Sequence, residues 1–242
     1  MKTIIVIPAR MGSSRFPGKP LTLIAGKPMV QWVYEACCQV EGVSDIVVAT
    51  PDEEIESAVK VFKGKSIRTS HSHTTGTDRV AEVAQKMDAD VFINVQGDEP
   101  LIQAESIKTC IGTVTKTDAP VGSVYDWLLP EEEHDPSVVK VVTDFRGRAL
   151  YFSRSPIPFQ RSETSVPKKK HVGLYAYTKE ALFSFAKWEP GTLERIEVLE
   201  QLRFLENGYR IQMAWAKGTP VAVDTPEQAK LAEDFISRRK IS

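Results

Sequence analysis

The sequence predicts an α/β protein, a mostly parallel sheet flanked by helices with an inserted mixed-sheet lobe. Three observations carry this. Ile4, Ile5, Val6 and Ile7 form an unbroken β-branched run, the pattern of a strand buried on both faces of a parallel sheet. Strand-like and helix-like segments then alternate through the first half of the chain, the order of βαβ units. After about residue 115 the strands crowd together, which points to a mixed sheet. The 242 residues contain no internal repeat and no low-complexity linker. We therefore read one domain over 1–242, with a lobe at roughly 120–215.

In chain order, Pro28 can open a helix with Met29, Val33, Ala36 and Val40 at helical spacing. Ile46–Ala49 reads as a second strand. Asp52 can cap a helix whose apolar face is Ile55, Val59 and Phe62. A short strand at 66–69 leads to a polar loop, 71–76. Thr77 can cap the next helix, with Val80, Val83, Ala84 and Met87 inward. Val91–Val95 is another buried strand. Beyond it, 121–127, 138–143 and 149–153 read as strands, with Arg146-Gly147 as a turn between the last two. Residues 130–137 are an acidic, proline-bearing loop, and 155–170 a long exposed one. Lys168, Lys169 and Lys170 read as a solvated charge run. A strand at 171–177, helices at 179–187 and roughly 193–206, a Gly208 cap, a strand at 211–216 and a helix at 226–237 complete the chain.

Composition excludes several classes. Hydrophobic residues are 42% and charged residues 26%, as in an ordinary globular protein. A net charge of −1 provides no global basic field for nucleic acid. No apolar run reaches the ~18 residues of a membrane span, and the N-terminus runs straight into a strand, without a signal-peptide pattern. Cys37, Cys38 and Cys110 are odd in number and lack metal-ligand spacing, so reduced thiols and a cytoplasmic setting are expected.

The loop after the first strand carries the first chemical signal. Pro8 stops the strand, and residues 9–19 hold Arg10, Arg15 and Lys19 among Gly12, Gly18, Ser13 and Ser14. Open α/β sheets bind ligands at this edge. Cations neutralise phosphates, and glycines let backbone amides approach them. Five residues between Gly12 and Gly18, and Pro20 after Lys19, exclude a Walker A loop. A basic surface loop is the plain alternative. A second stretch, Gln96-Gly97-Asp98-Glu99-Pro100, follows a buried strand. Its carboxylates can hold Mg²⁺ beside a triphosphate or simply form a turn. In a third, Val223-Asp224-Thr225-Pro226-Glu227, Asp224 is either a second metal ligand or a helix cap.

Pro8-Ala9-Arg10, Ser13-Ser14-Arg15 and Phe16-Pro17-Gly18-Lys19-Pro20 resemble the signature of nucleotidyltransferases that activate acidic sugars. They most resemble the 3-deoxy-manno-octulosonate (Kdo) cytidylyltransferase family. The resemblance runs from Ile4 to Glu227, with six motifs in order. It implies a Rossmann-like nucleotidyltransferase fold. It places CTP on Ala9, Arg10, Ser13, Arg15 and Lys19, and Mg²⁺ on Asp98 and Asp224, with Arg10, Lys19 and Asp98 catalytic. Thr74-Thr75-Gly76-Thr77-Asp78-Arg79 matches the family's cytosine-recognising loop, so Thr75, Gly76, Thr77 and Arg79 are assigned to the nucleotide. Ser72 and Thr75 depart mildly from the Asp and Ser common there. His71 and His73 lack a third ligand nearby and read as polar loop residues.

The resemblance also assigns the sugar. In Tyr151-Phe152-Ser153-Arg154, Arg154 would take the sugar carboxylate, bidentately; a surface ion pair is the alternative. His171 and Tyr175 come from His171-Val172-Gly173-Leu174-Tyr175, and Glu200 and Gln201 from Glu200-Gln201-Leu202-Arg203. Gln96 is a further candidate. Adjacent Glu200 and Gln201 lie about 100° apart on a helix, so only a helix end or a close pocket wall lets both reach one sugar. The implied reaction is transfer of CMP from CTP to the anomeric hydroxyl of Kdo, releasing pyrophosphate, for lipopolysaccharide synthesis. The implied assembly is a homodimer through the lobe. The rivals are the same chemistry on 8-amino-Kdo, a sialic acid or a neutral sugar 1-phosphate, and a nucleotide-binding regulator without turnover.

Overall fold

A computed structural model describes residues 1–12, 16–163 and 166–239. Ser13 and Arg15, two of the expected nucleotide contacts, lie outside the described residues. The first half follows the predicted alternation. β1 (Thr3–Pro8) is followed by a small hairpin, β2 (Leu23–Ile24) and β3 (Lys27–Pro28), then α1 (Met29–Cys38), β4 (Asp45–Thr50) and α2 (Glu53–Val61). Then come β5 (Ser66–Arg68), α3 (Gly76–Lys86), β6 (Val91–Val95) and α4 (Ala104–Thr115). The second half holds β7 (Val121–Trp127), β8 (Lys140–Thr143), β9 (Ala149–Ser153) and β10 (Lys169–Thr178). It closes with α5 (Lys179–Phe185), α6 (Thr192–Glu197), α7 (Gln201–Glu206), β11 (Ile211–Trp215) and α8 (Pro226–Arg239).

One nine-stranded sheet runs β11-β7-β10-β6-β1-β4-β5, with the β8–β9 hairpin attached to β10. β6, β1, β4 and β5 run parallel to one another. β10 runs antiparallel between β6 and β7, which makes the later half mixed. The aliphatic run of β1 is buried on both faces. Ile4 and Val6 join the core beneath α3 and α5, while Ile5 and Ile7 join the core beneath α1, α2 and α4. A parallel strand wedged between β4 and β6 has no solvent face, so alternation is lost.

Several local expectations are corrected. α4 is an element beyond those expected, and Ile107, Cys110 and Val114 are buried on it at helical spacing. The helix expected at 193–206 is two helices, broken at Val198, whose φ of 54° is left-handed. α3 is capped by Thr75, whose Oγ1 accepts from the Asp78 amide at 3.0 Å, not by Thr77. The lysine run is not simply solvated. Lys168 pairs with Glu133, Lys170 with Glu132 at 2.5 Å, and Lys169 donates to Thr143 Oγ1 at 2.6 Å. The acidic loop before β8 and the end of β8 supply those partners, and β10 starts two residues early.

Candidate active site

The parallel half of the sheet places its functional loops at one edge. β1 ends in Pro8, and Ala9 N–H continues onto Ala49 O at 3.0 Å. Asp52 Oδ2 accepts the Met11 N–H at 2.7 Å. Asp52 occupies the cap position of α2 but caps nothing there; its carboxylate steadies the first loop instead. Gly18, at φ 71°, bends the loop back, and its N–H reaches Met11 O at 3.2 Å. A left-handed residue without a Cβ makes that turn unstrained. Lys19 is thereby returned over the sheet edge.

There it meets both aspartates. Lys19 Nζ donates to Asp98 Oδ2 at 2.7 Å and to Asp224 Oδ1 at 2.9 Å. The convergence is built from backbone. The Val223 N–H donates to Asp98 O at 2.8 Å, tying the segment before α8 to the loop after β6. Gln228 Oε1 accepts the amides of Asp224 and Thr225, fixing that corner. Gly97 is required beside it, because a Cβ there would lie 2.8 Å from Pro8 O. Burial alone would lower the Lys19 ammonium, but Asp98 and Asp224 outweigh it and hold its pKa above the ordinary value. The neighbouring Glu99 carboxyl is pushed up to about 7 by burial and by the Asp98 charge.

The two aspartate oxygens share one nitrogen, so they are at most about 5.6 Å apart. Among the described residues no third His, Cys, Asp or Glu completes a metal cluster. Two carboxylates at that spacing suit Mg²⁺, which takes one or two of them plus phosphate oxygens and water.

The opposite wall is the start of α3. Thr75 Oγ1, besides capping, donates to Asp78 Oδ2 at 2.7 Å. Its hydroxyl is therefore committed within the chain, while the residue lines the cavity. Gly76 leads the helix into the cavity, where an added Cβ would touch Pro8 at 3.6 Å. Thr77 Oγ1 donates to Glu200 Oε2 at 2.7 Å, linking the start of α3 to the start of α7. Arg79 is buried, and its Nη1 donates to Thr69 Oγ1 and Ser70 O. Burial first, then the charge of Arg10, lower its guanidinium pKa.

A cavity of about 650 Å³ lies between these walls. Of the predicted site residues it is lined by Ala9, Arg10, Lys19, Thr75, Gly76 and Arg79, and by Gln96, Asp98, Glu200 and Asp224. Three cations and three carboxylates thus line it. Gly12 and Thr74, from the same two loops, also line it.

Tyr175, His171 and Gln201 stand beside the cavity rather than on its lining. Gly173, in the bulge of β10, has its Cβ direction 3.7 Å from Gln96 Cγ, which joins this strand to the cavity wall. Tyr175 OH donates to Gln201 Oε1 at 3.2 Å, and the His171 ring lies 5.2 Å from the Tyr175 ring. Ser123 Oγ donates to Leu174 O at 2.8 Å and lies 2.9 Å from His171 Nε2. With that hydroxyl proton spent, His171 Nε2 is the donor to Ser123. Burial drives the imidazole down to about 3, so it is neutral at pH 7. Gln201 is 4% exposed, and its Nε2 is a buried donor without a partner. An orphaned amide donor is costly to bury.

The break at Val198 answers the geometric problem of Glu200 and Gln201. Glu200 precedes the first turn of α7 and reaches Thr77, while Gln201 begins that turn and reaches Tyr175. Arg203, one turn on, pins α7 to α6 by two 2.6 Å bonds to Glu194. Burial raises the Glu200 carboxyl above its ordinary range, against the lowering bonds from Thr77.

Arg154 is not brought to the cavity. Its Nε donates to Glu197 O at 2.8 Å, Nη1 to Pro136 O at 2.8 Å and Nη2 to Val198 O at 3.3 Å. Its guanidinium braces the Val198 corner, so taking a sugar carboxylate requires it to exchange these carbonyls. The sequence shows an arginine in a motif, but not the carbonyls that surround it.

A parallel-sheet edge carrying a glycine-bent cationic loop, opposite a helix N-terminus and two converging aspartates, defines a nucleotidyltransferase. The sequence profile of the cytidylyltransferase family matches residues 4–211. The chain is 46% identical to 3-deoxy-manno-octulosonate cytidylyltransferase of Escherichia coli, over 93% of this chain and 92% of that protein. It is 45% identical to the Vibrio vulnificus (strain CMCP6) protein of the same name, over 99% of this chain and 100% of that one. This chain belongs to the 3-deoxy-manno-octulosonate cytidylyltransferase family. Among solved structures it is similar to CMP:2-keto-3-deoxy-manno-octonic acid synthetase complexed with CTP. The TM-score is 0.96 with 43% identity, covering 99% of this chain and 100% of that one. A cytidylyltransferase from Leptospira borgpetersenii, at 16% identity and a TM-score of 0.66, shares the fold.

Proposed function

We propose that the protein transfers CMP from CTP to the anomeric hydroxyl of 3-deoxy-manno-octulosonate, giving CMP-Kdo and pyrophosphate. The observation that carries this is the meeting of Lys19, Asp98 and Asp224 at the mouth of the cavity. It occurs in a chain similar over its length to a synthetase complexed with CTP. Arg10, Lys19 and Arg79 hold the triphosphate, and the Ala9–Arg10 backbone and the Thr75–Thr77 turn receive the base. Ser13 and Arg15 join the phosphate contacts. Gln96, Glu200 and Gln201 take sugar hydroxyls, with Tyr175 and neutral His171 fixing the wall behind them. The unpartnered Gln201 donor supports that side of the reading. Arg154 takes the sugar carboxylate on exchange of its carbonyl partners.

The chemistry is in-line attack of the sugar hydroxyl on the α-phosphorus. Negative charge grows on the phosphoryl oxygens and the departing pyrophosphate, and preoriented cations offset it. Asp98 and Asp224 would hold Mg²⁺, which supplies further charge neutralisation on the triphosphate and acidifies a bound hydroxyl. Lys19, released from the aspartates, turns its ammonium to the phosphates.

The assembly we propose is a homodimer through the lobe, supported by the exposed Phe145, Leu150 and Trp215. Among the described residues no helix is long and apolar enough to cross a membrane. We place the reaction in the cytoplasm, feeding lipopolysaccharide synthesis.

The test is pyrophosphate release from CTP and Mg²⁺ with Kdo, 8-amino-Kdo or N-acetylneuraminic acid as acceptor. Release that needs Kdo is expected. Release only with another sugar would change the substrate, and CTP binding without release would make the protein a regulator. Asp98→Ala should lower turnover by roughly 10²-fold or more, with unchanged circular dichroism; near-normal turnover would remove the metal assignment.

A further inference from the structure

The loop that carries Thr74 and Thr75 into the cavity is held by side chains on α3. Arg79 Nη1 donates to Ser70 O at 3.1 Å and to Thr69 Oγ1 at 2.5 Å. One turn further, Glu82 Oε2 accepts the Ser70 N–H at 2.8 Å and lies 2.5 Å from His73 Nε2. Lys86, one turn beyond that, bonds Glu82 Oε1 at 2.7 Å and donates to Arg68 O at 2.7 Å. Residues three and four apart share a helix face, so Arg79, Glu82 and Lys86 form a ladder along the loop. Both backbone groups of Ser70 are taken by this ladder, the carbonyl by Arg79 and the amide by Glu82.

Glu82 is the one carboxylate in the ladder and binds three groups, the Ser70 amide, His73 and Lys86. It does not line the cavity, whereas Arg79, Thr74, Thr75 and Gly76 do. Its carboxylate is 18% exposed, so its hydrogen bonds are partly shielded from water. The groups facing it are His73, Lys86 and the Ser70 amide.

We propose that Glu82 is a positioning residue for nucleotide recognition, holding the Ser70–Thr75 loop so that its backbone meets the base. It touches neither substrate and acts through Ser70 and His73. The inference rests on the CTP reading of the same cavity.

The experiment compares wild type with Glu82→Gln and Glu82→Ala, by steady-state kinetics in both substrates and by CTP titration without sugar. Gln retains the size and one acceptor oxygen, so it keeps the fold if Ala does not. We expect the CTP KM and Kd to rise about five- to tenfold in Glu82→Ala, the net scale of one ordinary hydrogen bond. Glu82→Gln should fall between Ala and wild type. The sugar KM and kcat should stay within about twofold, and hydrogen exchange of amides 70–76 should quicken. A role in general stability would instead move both KM values and kcat together. An active wild type beside variants with unchanged CTP affinity overturns the inference and leaves the function standing. A wild type that does not bind CTP overturns both.

Discussion

Replacing Lys19 with Met should give the nucleotide-free protein a tighter divalent-cation site while crippling turnover. Lys19 is the cation between the two aspartates, at 2.7 and 2.9 Å. Without it, carboxylate oxygens at most about 5.6 Å apart repel by about 3 kcal/mol at an effective dielectric of about 20. A divalent ion relieves that repulsion, but in the wild type it must first displace the ammonium. Each charge-assisted bond is worth roughly 1.5–3 kcal/mol. The side chains are 13%, 31% and 34% exposed, and a freed ammonium rehydrates, so the net cost is nearer about 2 kcal/mol for the pair. That corresponds to roughly 30-fold in affinity. The assay is an electron paramagnetic resonance titration of Mn²⁺ against both proteins without nucleotide. Equal affinities would refute the reasoning. The pH sign is fixed by the raised Lys19 pKa. The pairing is fully present below the ordinary 10.5 and is lost only as pH rises through the elevated value. Wild-type Mn²⁺ binding should therefore show no Lys19 titration between pH 6 and 9.

Three further outcomes test the site and its support. Gln201→Met removes a buried donor that lacks a partner but also the acceptor of the Tyr175 hydroxyl, so stability should fall by about 1–3 kcal/mol, while the sugar KM rises several-fold; an unchanged sugar KM would remove its assigned role. Glu194→Ala leaves the buried Arg203 guanidinium without its two 2.6 Å bonds and should cost about 3–5 kcal/mol in denaturant unfolding. Much of that loss should be recovered by the Glu194→Leu, Arg203→Met pair. The Glu82 carboxyl is held at about 2, with burial opposing and Lys86, Ser70 and His73 lowering it. Its stabilisation is present above the ordinary 4.5 and is lost as pH falls toward 2. Glu82→Gln should flatten the acid limb of stability over that range; an unchanged limb would refute the assignment.

The sequence alone determined the parallel half of the fold. Ile4–Ile7 and Val91–Val95 are too apolar for any surface, and the helices between them carry one apolar face each. It also determined which loops meet, because parallel strands deliver their carboxyl ends to one edge; Lys19 and Asp98 were legible for that reason. α4 is equally legible in Ile107, Cys110 and Val114, whose spacing is that of one helix face. What tertiary structure decided depends on contacts between residues far apart in sequence. Asp224 reaches Asp98 through the Val223 amide, 125 positions along the chain. Val198 takes a left-handed conformation that a β-branched residue disfavours on its own. Carbonyls 197 and 198 there are gripped by Arg154. That corner turns Glu200 and Gln201 to one side and withholds Arg154 from the cavity. Glu82 left no mark in the sequence, since its partners Ser70 and His73 are brought to it only by the fold. Local pattern reports burial and period, whereas the direction of a long polar side chain is set by whichever partners the folded chain leaves within its reach.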